Sequence, residues 1–115
     1  MRHHNKNKKF GREKKVRTGL MKALAVSVIA HGKIKTTLAK AKALRPKVEK
    51  MVTHAKAGTP AKQRILSGAL PTSSVGKLVK EWAPKYKDRQ GGYMRIVRAG
   101  LRRSDGAPMA FIEFV

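Results

Sequence analysis

Residues 93–115 read YMRIVRAGLRRSDGAPMAFIEFV, and this stretch decides the fold. Tyr93 to Leu101 and Met109 to Val115 are rich in β-branched and aromatic side chains, and the RRSDGAP segment between them carries turn chemistry. Asp105-Gly106 offers the positive φ that a tight reversal needs, and Pro108 stands where a strand can begin. The stretch therefore predicts a β-hairpin. Ala110, Ile112 and Phe114 alternate with Met109, Phe111 and Glu113, so the last strand turns one apolar face to a core.

Working outward, Lys33 to Thr37 holds the β-branched Ile34, Thr36 and Thr37 and predicts a short third strand. Before it, Thr18 can cap a helix that runs to about His31 and ends at Gly32. Leu20, Met21, Leu24, Val26, Val28 and Ile29 cover most of that helix's circumference, which makes it the central one. After the strand, Leu38, Ala41, Val48, Val52 and Ala55 recur at helical spacing as far as Gly58. Pro46 should kink or divide this long helix because it lacks a backbone donor. Thr59-Pro60 opens a short helix through Leu66, closed by Gly68 and Pro71. A fourth helix starts near Ser73 or Ser74; Val75, Leu78, Val79, Trp82 and Tyr86 share one face, with Trp82 as a core residue, and Pro84 disturbs the end. The predicted class is α/β of the α+β kind, in the order α-β-α-α-α-β-β. Its two layers place the helices on one face of a small three-stranded mixed sheet.

The 115 residues suffice for one domain. Their charge is lopsided: 28 Lys or Arg against 6 Asp or Glu, a formal net charge of +22. A compact domain with that excess repels itself unless a polyanion neutralises it, and nucleic acid is the densest polyanion in a cell. Eight of the cations fall in the first 17 positions, opposed only by Glu13. With so little apolar content, residues 1–17 are expected to be a basic arm, disordered when free, ahead of one globular domain over 18–115. A basic stretch followed by Leu20 to Ala30 has the outline of a secretory signal. Lys22 interrupts the apolar run, however, and the remainder would still be strongly basic, so a buried first helix behind a charged arm is the better reading. No cysteine is present, which excludes disulfides and thiolate metal sites. No apolar run approaches the roughly 20 residues that span a bilayer.

Three groups of residues suit a nucleic-acid surface. The first is the arm: Arg2, His3, His4, Lys6, Lys8, Lys9, Arg12, Lys14, Lys15 and Arg17, a cationic thread able to follow phosphate backbones. The two histidines suit phosphate or base contact better than metal binding, because they lack further ligands. The second is Lys33, Lys35, Thr36, Thr37, Lys40, Lys42 and Arg45 at a strand-to-helix junction, where hydroxyls, backbone donors and the helix dipole favour a phosphate. A solvated helix face with Thr36 or Thr37 as a plain cap is the alternative there. The third is Arg89, Gly91, Gly92, Tyr93 and Arg95, continued by Arg98, Arg102 and Arg103. Paired glycines admit a close phosphate, arginine can bind it bidentately, and tyrosine can stack on a base; an ordinary loop before a strand is the alternative there.

No catalytic constellation is visible. None of the six carboxylates pairs with a histidine at a spacing typical of a nucleophilic or metal site. No cofactor and no small-molecule substrate are expected. Two other classes share the charge: a DNA-compacting architectural protein, which normally dimerises, and a cationic nuclease, which needs a metal or acid/base cluster.

Several segments together carry a resemblance. MRH at the start, IKTTLAKAKALR from Ile34, APKYKDRQGGYMRI from Ala83 and the final SDGAPMAFIEFV look like the bacterial large-subunit ribosomal protein L-seventeen family, nearly end to end and in the same order. The resemblance implies a two-layer α/β fold and a non-catalytic, structural place in the large subunit, with contact to its ribosomal RNA. It also implies a bacterial cytoplasmic location near the mouth of the nascent-chain tunnel, and the small ribosomal protein L-thirty-two as a neighbour. It places Arg2, His3, Thr36, Thr37, Lys40, Lys42, Arg45, Arg89, Gly91, Gly92, Tyr93 and Arg95 on the family's recurrent positions. The chain departs from the family at Lys9-Phe10 and Gly11-Arg12, where Lys-Leu and Asn-Arg are usual. Ala43 stands for a common glutamate, Ser104 for a frequent glycine, and Glu13 to Val16 for a serine-rich stretch.

Overall fold

A computed structural model of the chain describes residues 9–115. Helix α1 spans Lys14–His31, strand β1 Lys33–Thr37, helix α2 Leu38–Ala57 and helix α3 Pro60–Ala69. Helix α4, Thr72–Lys77, continues through a π-helical turn at Leu78–Trp82 into a last turn at Ala83–Lys85. The hairpin follows as β2, Met94–Leu101, and β3, Pro108–Phe114. The element order and the α+β class are those predicted.

The helix boundaries depart from expectation for local reasons. α1 starts four residues before Thr18, with Glu13 at its N-cap and no side-chain capping bond. The Thr18 hydroxyl instead donates to the Lys14 carbonyl at 2.9 Å, one turn back inside the helix, an outlet open to any mid-helix threonine. α2 is continuous through Pro46. The proline leaves the Lys42 carbonyl without its i+4 donor, but the Val48 and Val52 side chains, fully buried on the next turns, hold the helix together. The π turn precedes Pro84, whose ring in an unbroken α-helix would press on the Lys80 carbonyl; the Ala83 N–H reaches back to Leu78 instead.

The sheet order is β1-β3-β2, and both pairings are antiparallel, not mixed as the sequence reading had it. The reason is the hairpin: β3 runs opposite to β2, and β1 joins β3's free edge in the direction opposite to it. Lys33 stands across from Glu113 and Thr37 from Met109, while Met94 stands across from Phe114 on the other side. The inner face of β3, Ala110, Ile112 and Phe114, is buried against the helices. Val28 and Ile29 of α1, Leu44, Val48 and Val52 of α2, Leu66 of α3 and Leu78 complete the core.

Trp82 is a core residue, as its spacing predicted. Its ring stacks on Phe114 with centroids 4.0 Å apart and planes 16° from parallel, and its indole N–H donates to the Ile29 carbonyl at 2.9 Å. Gly32, with φ 76, closes α1 beneath it: a Cβ there would stand 3.2 Å from the indole ring.

Candidate nucleic-acid interface

The register sorts the second predicted group onto two faces. Strand alternation sends Lys33 and Lys35 to the outer face of the sheet, where both ammonium groups lie over the Phe111 ring, 4.5 and 5.9 Å from its centroid. It sends Thr36 inward, where the residue is buried, so Thr36 cannot meet a ligand from the surface. Thr37 is the N-cap of α2, and its hydroxyl accepts the Lys40 N–H at 3.4 Å. Here the plain-cap alternative is what the chain adopts. Lys40 is half-buried, while Lys42 and Arg45 are exposed on α2. Arg45 donates to Glu49 at 3.3 Å, and the same carboxylate oxygen accepts the Met94 N–H, tying α2 to the start of β2.

The third group is a built loop. Gly91 and Gly92 have φ 99 and 62, a conformation that side chains with a Cβ rarely adopt. Tyr93, expected as a stacking platform, is corrected by its burial: it is 2% exposed and packs against Tyr86 at 5.2 Å between centroids. No base can reach its faces. The cause is Lys56, which sequence reasoning passed over. Its ammonium donates to the Tyr93 hydroxyl at 2.9 Å and to the Arg89 carbonyl, and it lies 5.0 Å over the Tyr93 ring. The Tyr93 hydroxyl also donates to the Arg89 carbonyl at 3.1 Å. The Lys56 hydrogen bond draws the Tyr93 phenol below its ordinary pKa. A lysine on a helix looks like a solvated charge in sequence, and only its spatial partner 37 residues on reveals its role.

On the hairpin, Arg95 pairs with Glu113 at 3.1 Å, and Arg102 grips Asp105 with two bonds of 3.0 and 2.8 Å. The Ala107 N–H joins at 3.1 Å, and together these donors hold the Asp105 carboxyl down to about 2. Arg98 and Arg103 are exposed. On the N-terminal side, Lys9, Arg12, Lys14 and Lys15 are exposed and Arg17 is half-buried, with Lys14 to Arg17 inside α1. Arg2, His3, His4, Lys6 and Lys8 lie outside the described residues.

Four carboxylates, Glu49, Glu81, Asp105 and Glu113, are engaged in ion pairs. They take up Arg45, Lys77, Arg102 and Arg95, and the exposed Lys14, Lys33, Lys35, Lys42, Lys47, Arg98 and Arg103 are among the cations that make no ion pair with a carboxylate. Among the described residues there is no group of three or more His, Cys, Asp or Glu that could hold a metal ion, and no helix is long and apolar enough to cross a membrane.

These features define a class: a small α+β domain with a strongly basic surface. The family model described as Ribosomal protein L17 matches residues 20–115, and the chain belongs to that family. It is 52% identical to the large ribosomal subunit protein bL17 of Persephonella marina, over all of this chain and 95% of that protein. It is 47% identical to the bL17 of Sphingopyxis alaskensis, covering all of this chain and 84% of its relative, and 46% identical to that of Campylobacter jejuni, covering 100% and 99%.

Proposed function

We propose that this chain is a structural, non-catalytic constituent of the bacterial large ribosomal subunit that binds large-subunit ribosomal RNA through its N-terminal arm, residues 1–17, and the cationic face of the domain at 18–115. The proposal includes ordering on RNA of the arm residues that precede α1 at Lys14, and a place beside the small protein L-thirty-two in the assembled particle. One observation carries it: end-to-end identity with proteins named for the large subunit, in a chain whose formal charge is +22. Binding is driven by counterions released as phosphates are neutralised.

The test separates the arm from the domain. Deleting residues 2–9 removes Arg2, Lys6, Lys8 and Lys9 and leaves α1 whole. If all four meet phosphates, the slope of log affinity against log salt for ribosomal RNA should fall by roughly 2.8–3.6. An unchanged slope would make the arm a passenger. A full-length chain that fails to sediment with large subunits would defeat the reading as a whole.

A further inference from the structure

Between the first turns of α1, the N-terminal half of α2 and the β2–β3 connection lies a groove of about 880 Å³. Its floor is apolar: Met21, Leu38 and Phe10, with Pro46 and Pro108 at its sides. Four cations line it, Lys14, Arg17, Lys42 and Lys47. No Asp or Glu stands among its described lining residues. Two helix N-termini converge on it, and neither α1 nor α2 carries an acidic residue in its first turn. Glu13, at the α1 N-cap, is outside the lining. Both macrodipoles therefore add to the field of the four cations.

We infer that this groove receives an unpaired nucleotide of the RNA, its base against the apolar floor and its phosphates on the surrounding cations; the inference rests on the RNA-binding reading above. Charge complementarity selects a polyanion, because a groove with four cations, two helix N-termini and no carboxylate repels any cationic partner. Its volume is that of a site for a whole small molecule, larger than a lone phosphate needs. Its floor asks for a flat, largely apolar body. A base-paired helix presents phosphates and groove edges, so only a nucleotide outside the stack satisfies both demands. The Pro46 ring adds one more apolar surface to the groove.

The experiment uses the full chain, a large-subunit ribosomal RNA transcript and four small probes: a single-stranded oligoribonucleotide, a blunt RNA duplex of equal length, inorganic polyphosphate and an acidic peptide. Ala39 is exposed and lines the groove, so Ala39→Trp adds bulk to its wall without changing charge. It should keep the melting temperature and salt slope of the wild type while lowering affinity for the transcript roughly tenfold, as loss of one base contact does. Pro46→Ala restores a helix donor and removes an apolar ring from the groove; it should raise the melting temperature yet weaken binding. The Met21 methyl resonance should move with the single strand and stay still with duplex and polyphosphate. Wild-type affinity in both variants would overturn the inference while leaving RNA binding by the arm intact. So would equal Met21 shifts from polyphosphate, which would reduce the groove to a general anion site. A Met21 shift produced by an acidic peptide and not by the oligoribonucleotide would hand it to a protein partner. Absence of any wild-type affinity for the transcript would instead strike at the RNA-binding reading itself.

Discussion

Replacing Trp82 with alanine is the sharpest test of how the π turn, the sheet and α1 are joined. The substitution removes the stack on Phe114 at 4.0 Å, the bond to the Ile29 carbonyl at 2.9 Å and the packing under Gly32. A fully buried aromatic truncated to alanine costs about 3–5 kcal/mol. Trp82 is half-buried, which places it near the bottom of that range, at about 3 kcal/mol, with the lost hydrogen bond contributing about 1 kcal/mol of it. Against the roughly 5–15 kcal/mol stability usual for a domain, that is a large loss, a drop of about 10 °C or more in melting temperature. Trp82→Phe keeps the ring on Phe114 and gives up the indole donor, so it should cost only about 1–1.5 kcal/mol. Urea and thermal unfolding followed by circular dichroism read both, since the fluorophore itself is removed. Ribosomal RNA affinity of the folded Trp82→Phe protein should equal that of the wild type. A Trp82→Ala protein as stable as the wild type, or a Trp82→Phe protein with intact stability and weakened RNA binding, would refute the assignment of this ring to the core.

Gly32→Ala should destabilise by about 1–2 kcal/mol, because it places a Cβ at φ 76 and 3.2 Å from the indole, and chemical denaturation would detect it. Asp105 titrates from about 2 in the folded hairpin, below its ordinary 3.8, so the order it lends the turn is complete above that ordinary value and is lost as pH falls from there through about 2. The Ala107 amide resonance should follow a midpoint near 2; a midpoint near 4 would show that the Arg102 and Ala107 bonds do not hold in solution. Lys56→Met should let the Tyr93 phenol titrate at higher pH by ultraviolet difference absorption and should loosen residues 89–93 to amide exchange. No rise in the Tyr93 titration would remove Lys56 from its role as the anchor of that loop.

The hairpin was legible because its information is local: Asp105 and Gly106 perform in the turn the chemistry that their types announce, and the alternation along β3 marks its buried face. The start of α1 was not legible. Thr18 has the chemistry of a cap, but the same hydroxyl serves equally well bonded back to Lys14, and nothing in the sequence ranks the two. The strand-to-helix junction was read as one cluster because its residues are consecutive, whereas alternation puts Lys35 on one face of the sheet and Thr36 in the core. Tyr93 beside two glycines suggested an exposed ring. Its burial depends on Lys56 and Tyr86, which no spacing connects to it. The groove was invisible for the same reason, since α1, α2 and the β2–β3 connection meet there only in three dimensions.

The strand order carries a consequence for synthesis. β3 lies between two strands that are made before it, and its pairing with β1 joins Lys33 to Glu113, so the earlier strands have no partner in the sheet until that segment has been translated. Contacts so distant along the chain are slow to form. During that interval the apolar faces of α1 and α2 have no sheet to cover them, while the cations that lead the chain have already left the peptidyl-transferase centre. For a protein of this charge, a polyanion met at that stage would find an unfinished chain, so the timing of β3 becomes part of how the molecule reaches its partner folded.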